Sequence, residues 1–315
     1  VTGKKYLVLA GGVALNCVAN GLIIRDTPFK EIWIQPAAGD AGAALGAALF
    51  IWYQYLGNPR AADDTHDFMK ASLLGTSYSN EHVEGFLKAK DIPYVRLKDD
   101  EVAGKIAELI AQEKVIGWFE GRMEFGPRAL GGRSIIGDAR SSKMQETMNL
   151  KIKFRESFRP FAPSILEEKA AEYFDLDIKS PYMLLVAPVK ASKRRVMTEK
   201  EEALFGIEKL NVVRSEIPAV THVDYSARVQ TVNKEENGLY YDMIRKLNDA
   251  HGCPVIINTS FNVRGEPIVE SPEDAYRCFM RTNMDYLIIG SILLDKKAQK
   301  PVAGDTNWQK EYELD

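Results

Sequence analysis

The chain has 315 residues, of which 45% are hydrophobic and 27% are charged, and this composition excludes a disordered or fibrous protein. Lysine and arginine total 41 against 44 aspartates and glutamates, giving a formal net charge of -3. We therefore expect no nucleic-acid or membrane partner, and any anion site has to be local. Three cysteines without metal-ligand spacing indicate a reducing, cytoplasmic location.

The first 57 residues alternate between strand and helix patterns. The predicted elements are strands at 5–9 and 31–35 and helices at 13–23 and 41–55. A unit of this size is small for a domain, and the chain opens at Val1, without Met, directly into an apolar strand. We therefore expect the chain to be the C-terminal part of a longer protein, beginning near the end of an α/β domain.

A polar linker is predicted at 58–80, and a second α/β domain with a mixed sheet follows at 81–315. Its predicted strands lie at 94–97, 115–119, 183–189, 221–232, 255–258 and 286–294, and its predicted helices at 99–113, 143–152, 239–251 and 272–282.

Two glycine-containing turns join strands to helices in the first unit. Gly11 and Gly12, followed by Asn16, allow backbone to approach a phosphate or a ribose, although a plain tight turn explains them equally well. Gly39 and Asp40 repeat this arrangement at the second strand. Asp40 suits a helix cap as well as it suits a metal or magnesium-phosphate ligand.

A local excess of positive charge lies between Arg122 and Arg159. Nine lysines and arginines occur there against four acidic residues, interleaved with glycine, proline and phenylalanine. Because such neighbours fix tight turns and bury surface, the stretch favours a pocket for phosphate or carboxylate over a solvated basic face.

Two later segments are expected to complete this pocket. Asp224, Ser226, Arg228 and Gln230 share one face of a predicted strand by the two-residue period. A buried apolar strand then ends in Asn258 and Ser260, at the edge where ligands of α/β sheets bind, although both side chains also suit a turn.

Six motifs in this order resemble the C-terminal portion of a NodU/CmcH-type O-carbamoyltransferase. They are LAGGVALN, AAGDAGAALGAAL, EFGPRALGGRSI, KFRESFRPFAP, ARVQTV and PVIINTSFNVRGEPIV. The resemblance implies an α/β fold in two parts: a partial actin/hexokinase-like unit that binds nucleotide and metal, at residues 1–57, and a YrdC-like domain with a mixed twisted sheet that makes carbamoyladenylate.

The resemblance also implies roles for individual residues. It implies catalytic roles in the YrdC-like domain for Arg128, Lys153, Arg159 and Arg228, and substrate binding by Asn258 and Ser260. It also implies nucleotide binding by Gly11, Gly12, Asn16 and Gly39, and metal binding by Asp40. The histidine metal ligands of the family are absent from this sequence, so a site for Mg²⁺ or an iron-type divalent metal is incomplete here.

The expected activity is ATP-dependent carbamoyl transfer from carbamoyl phosphate to the hydroxyl of a small molecule, in a protein that could form a homodimer. One alternative is threonylcarbamoyl-adenylate synthesis for tRNA modification, which the net charge disfavours. The other is a non-catalytic nucleotide- or anion-binding module.

Overall fold

The computed structural model describes residues 3–61, 63 and 66–300. The first unit contains two parallel strands, β1 (Tyr6–Leu9) and β2 (Glu31–Ile34), paired from Tyr6 with Glu31 to Leu9 with Ile34. They are connected by α1 (Cys17–Asp26), and β2 leads into α2 (Ala41–Phe50), which continues as one wider turn over Ile51–Tyr55. Both predicted strands of this unit are confirmed.

The second part of the chain is built on a nine-stranded mixed sheet with the order β3-β11-β10-β4-β5-β9-β6-β8-β7. The strands are β3 (Val95–Arg96), β4 (Ile116–Phe119), β5 (Arg133–Asp138), β6 (Ala162–Leu166), β7 (Leu185–Pro188), β8 (Ser226–Val232), β9 (Val255–Ser260), β10 (Tyr286–Ile289) and β11 (Ile292–Asp295). Two neighbouring pairs, β10 with β4 and β6 with β8, are parallel, and the others are antiparallel. The predicted α/β class with a mixed sheet is confirmed.

Helices and two hydrophobic clusters cover the sheet. The helices are α3 (Asn80–Ala89), α4 (Asp99–Ala111), α5 (Met144–Met148), α6 (Ala170–Tyr173), α7 (Glu199–Glu202), α8 (Gly206–Leu210), α9 (Lys234–His251) and α10 (Pro272–Arg281). In one cluster, α4 and α9 pack together over Trp118, Ile136 and Ile256. Within the described residues, none of the helices has the length and apolar composition that crossing a bilayer requires.

Several predicted boundaries are wrong, each for a local reason. The strand expected at 221–232 starts only at Ser226, because Tyr225 has a φ of +61° and closes a turn onto His222. The strand expected at 286–294 is two antiparallel strands that turn at Gly290, whose φ is +57°. Two central strands were not predicted: β5 lies inside the basic stretch, and β6 contains Pro163, a residue type that is rare inside a sheet.

The two parts of the chain are packed against each other. The helix α1 lies on β7, where Asn20 donates to Leu184 O at 3.1 Å and Arg25 donates to Val186 O at 2.9 Å. A Cβ atom at Gly21 would lie 2.3 Å from Val186 O, so this close approach requires glycine. This packing brings the first residues of α1 to the edge of the large sheet.

Candidate anion-binding site

A cavity of about 470 Å³ lies where α1 meets the large sheet. Its walls come from six places in the chain: the start of α1, the loop around Arg128, the segment 155–162, β7 with the residues just before it, β8 with the turn before it, and the end of β9. Five residues predicted from the sequence line it together: Arg128, Arg159, Arg228, Asn258 and Ser260. The structure thus joins residues that are up to 132 positions apart, as expected for one pocket.

The arginines of this cavity lack salt-bridge partners in the part of the chain that the structure describes. Among the described residues, no carboxylate forms a salt bridge with Arg128, Arg155, Arg159 or Arg228, and the Nε atoms of Arg128 and Arg228 are buried without a hydrogen-bond partner. Burial, followed by the nearby charge of Arg128, lowers the pKa of Arg228 to about 10. Like charges held together in a poorly solvated space favour the binding of an anion between them.

The loop that presents Arg128 is fixed by one buried carboxylate. Glu124 Oε1 accepts from Leu130 N at 2.6 Å and from Gly132 N at 2.7 Å. Gly131 has a φ of +110°, and a Cβ atom there would lie 2.6 Å from the Tyr240 ring. Gly131 of the GPRALGG motif therefore has a backbone conformation that strongly favours glycine. The loop in this conformation places Arg128 at the cavity.

A chain of hydrogen bonds fixes the side-chain amide of Asn258. Its Nδ2 donates to Ala129 O at 3.0 Å and to Gln230 Oε1 at 2.8 Å. Gln230 is held in turn, because its Nε2 donates to Leu130 O and its Oε1 accepts from Ser164 Oγ. Both donors of Asn258 are thus used, and its buried Oδ1 is left without a partner beside the cavity. An unpaired buried acceptor of this kind calls for a ligand that donates.

Lys153 is oriented toward the protein and is not among the cavity-lining residues. It is 4% exposed, and its Nζ donates to the backbone and side-chain oxygens of Ser260 and Asn262. Burial lowers the pKa of Lys153 to about 7. In this structure the lysine holds the end of β9, where Ser260 faces the cavity.

The predicted residues of the first unit lie in two settings. Asn16 accepts from Ala19 N at 3.1 Å and so caps α1. Gly11, with a φ of +94°, and Gly12 face open space, whereas Gly39 has Leu15 as its near neighbour. These positions agree with tight turns. Nucleotide binding by these residues stays a prediction.

Asp40 precedes α2, is exposed, and makes no capping hydrogen bond with its side chain. Within the described ranges, no group of three or more histidine, cysteine, aspartate or glutamate side chains is placed to hold a metal ion. A lone carboxylate does not fit an iron-type metal, which needs several fixed ligands.

Three titratable residues that line the cavity were not proposed as site residues from the sequence: Cys17, Arg155 and His222. Arg155 was detectable, because it lies between Lys153 and Arg159 in the basic stretch; burial and then the charge of Arg159 lower its pKa to about 10. The other two are isolated in the sequence, and only the packing of α1 and the turn before β8 brings them in. That turn also removes Asp224 from the predicted polar face, since Asp224 accepts from Ser226 N.

Fold and cavity together define an α/β protein with an arginine-lined cavity at the edge of its large sheet. The family profile for the carbamoyltransferase C-terminus matches residues 107–296, and that for the carbamoyltransferase N-terminus matches residues 2–49. The chain therefore belongs to the carbamoyltransferase family.

Its relatives are longer proteins. The chain is 58% identical to protein sll1178 of Synechocystis sp. over 99% of its own length and 51% of the relative. It is 42% identical to nodulation protein NolNO of Sinorhizobium fredii, over 96% and 41%, and 39% identical to nodulation protein NolO of Bradyrhizobium diazoefficiens, over 94% and 50%. The chain thus spans about half the length of the relatives that it matches.

Among solved structures, full-length HypF in its phosphate- and nucleotide-bound form aligns with 59% of this chain and 24% of its own. The TM-score is 0.38 and the sequence identity is 18%.

Proposed function

We propose that this chain forms carbamoyladenylate from carbamoyl phosphate and ATP, and that the whole protein transfers the carbamoyl group to a hydroxyl of a small molecule. One observation supports this most: four arginines that form no salt bridge within the described residues line a cavity, together with Asn258, whose buried Oδ1 is unpaired. Both substrates are polyanions, and the carbamoyl group ends in an amine that donates hydrogen bonds.

The proposed reaction balances in two steps. Water cleaves carbamoyl phosphate to carbamate and inorganic phosphate. A carbamate oxygen then attacks the α-phosphorus of ATP, a new P–O bond forms, and the bond to the departing pyrophosphate breaks. The attacking oxygen is already ionised, so the second step requires no general base.

The side chains supply position and charge. Arg128, Arg159 and Arg228 would hold the phosphates and reduce the repulsion between the two anions, which otherwise opposes in-line approach. Asn258 would accept from the carbamoyl amine and Ser260 would contact the same group. Lys153 would act through Ser260, whose position it fixes.

The metal and the transfer step belong to the whole protein in this proposal. ATP enters with its Mg²⁺ as substrate, and Asp40 would contribute at most one metal ligand. We expect the 315-residue chain alone to bind ATP and carbamoyl phosphate without transferring the carbamoyl group. Stoichiometric iron or zinc together with transfer activity in this chain would refute that expectation.

The test is pyrophosphate release from ATP by the intact protein, with and without carbamoyl phosphate. We expect Arg128→Ala and Arg228→Ala to slow release by about 100-fold or more, because each removes a charge-assisted contact to phosphate. Arg245→Ala is the matched control, since Arg245 lies on the exposed side of α9 and its only salt bridge in the described chain is to Asp249.

Other results would identify a different function. Release that requires threonine and bicarbonate would indicate threonylcarbamoyl-adenylate synthesis. Calorimetry that detects ATP binding without turnover in the intact protein would indicate a non-catalytic module. Normal release by both cavity variants would place the phosphate site elsewhere.

A further inference from the structure

The anion cavity contains a thiol as well as arginines. Cys17 is the first residue of α1, and its partly exposed side chain forms part of the cavity wall. The other two cysteines of the sequence, Cys253 and Cys278, are 2% and 0% exposed. Of three chemically similar thiols, Cys17 is therefore the one that a reagent entering the cavity can reach.

This thiol lies beside two cations. Arg128 and Arg228 line the same cavity as Cys17, near enough for their charges to interact electrostatically with the thiol. Both arginines retain a buried Nε atom without a partner. An oxygen atom added to the sulfur would accept hydrogen bonds from these arginines and would take the place that we assign to substrate phosphate.

A separate observation shows that the space next to Cys17 suits a ligand. Asn258 is 0% exposed and lines the same cavity, yet its Oδ1 has no hydrogen-bond partner. A buried acceptor left unpaired is costly unless a bound molecule satisfies it. The thiol therefore shares its cavity with a buried residue whose side-chain acceptor a bound donor would satisfy.

We propose that Cys17 is a thiol-modification site at which oxidation by a hydroperoxide closes the anion cavity. The inference rests on the proposed function, because it takes this cavity as the site of the substrate anions. It assigns Cys17 no part in the carbamoyl-transfer chemistry.

Oxidation of Cys17 transfers one oxygen atom from the peroxide to the sulfur. The thiolate sulfur attacks one peroxide oxygen, an S–O bond forms, the O–O bond breaks, and hydroxide leaves. The sulfur loses two electrons and the peroxide gains them. A dithiol returns the sulfenic acid to the thiol, releasing water and becoming a disulfide itself, whereas a second peroxide gives the anionic sulfinate, which the dithiol does not reduce.

The first measurement is the rate of iodoacetamide labelling at each cysteine of the intact protein, followed by peptide mass spectrometry. We expect Cys17 to react at least about 10-fold faster than Cys253 and Cys278, and inorganic pyrophosphate to slow its reaction about 5-fold or more. In the Arg228→Ala variant this protection should be lost. Equal labelling of all three cysteines, or no protection by bound pyrophosphate, would overturn the inference.

The second measurement is pyrophosphate affinity by calorimetry before and after hydrogen peroxide, compared within each variant. The wild-type protein and the buried-thiol control Cys253→Ala should lose at least about 10-fold in affinity, and dithiothreitol should restore it after brief treatment. Cys17→Ser should show the same affinity before and after peroxide.

The two hypotheses fail differently in this experiment. Wild-type affinity that is unchanged although Cys17 is oxidised, or Cys17 that resists peroxide, would overturn the thiol site alone. An untreated protein that binds neither pyrophosphate nor ATP would refute the proposed function, and the thiol site with it.

Discussion

The buried Lys153 gives a prediction about pH and stability. Its pKa in the folded chain is about 7, whereas an unperturbed lysine has a pKa of about 10.4. Between these two values the unfolded chain binds a proton that the folded chain lacks. Stability therefore rises with pH over this range, and the penalty of burying the charge is largest below pH 7.

The size of the effect follows from the same two values. From pH 7 to pH 9 the linked gain amounts to about 2 kcal/mol, as an order of magnitude. Lys153 is 4% exposed, so solvent does little to screen this gain. The Lys153→Met variant has no such group, and its stability should lack this component.

The assay is urea unfolding of the intact protein at pH 7, 8 and 9. Wild-type protein should gain about 2 kcal/mol relative to Lys153→Met across this range, and other titrating groups cancel in the difference. Lys151→Met is the matched control, since Lys151 lies on the same turn and is exposed, and its curve should follow the wild type. Equal pH dependence in wild type and Lys153→Met would refute the reasoning, because it would mean that the four oxygen acceptors keep the ammonium charged.

Three further predictions concern the cavity and its loop. Gly131→Ala should destabilise the protein by about 2–4 kcal/mol in thermal unfolding, since a Cβ atom there would contact the Tyr240 ring and the φ of this residue is +110°. The control Gly104→Ala, on α4, places its Cβ in open space and should not destabilise the protein. Glu124→Gln should cost about 1–3 kcal/mol in urea unfolding, because the charged oxygen that accepts from Leu130 N and Gly132 N becomes a neutral and weaker amide acceptor. An unchanged midpoint would show that Glu124 does not fix the loop. Arg228→Met should lower pyrophosphate affinity about 10-fold or more by calorimetry while raising stability by about 1–3 kcal/mol, since it removes a half-buried cation that forms no salt bridge within the described residues. Lost stability would contradict this.

The cavity could be predicted from the sequence because its residues occur in rigid local motifs. Arg128 lies between glycines, Arg159 between Phe158 and Pro160, and Asn258 at the end of an apolar strand. Each motif indicates a fixed backbone near a polar group, and the sheet then brings the motifs together.

Other features depended on contacts between distant segments. The strand β5 pairs with β4 and β9 although its sequence, Arg133–Asp138, begins and ends with charge, because Arg133 donates to the carbonyls of Glu120, Gly121 and Thr76. Lys153 was expected at phosphate, but four oxygens of Ser260 and Asn262, more than 100 positions later, surround its ammonium. Local pattern carries no information about partners at such separations.

The packing of α1 on β7 has a consequence for how this protein can be divided. Sequence pattern suggests a cut in the segment 58–80, yet α1, which precedes it, supplies Cys17 and Val18 to the cavity and bonds to Leu184 and Val186 beyond it. A product that starts at residue 81 would keep the arginines but lose one side of their enclosure. Its arginines would be hydrated, and water around them would weaken each contact with phosphate. The domain boundary that the sequence suggests therefore differs from the boundary of the part of the chain that is needed to enclose the cavity.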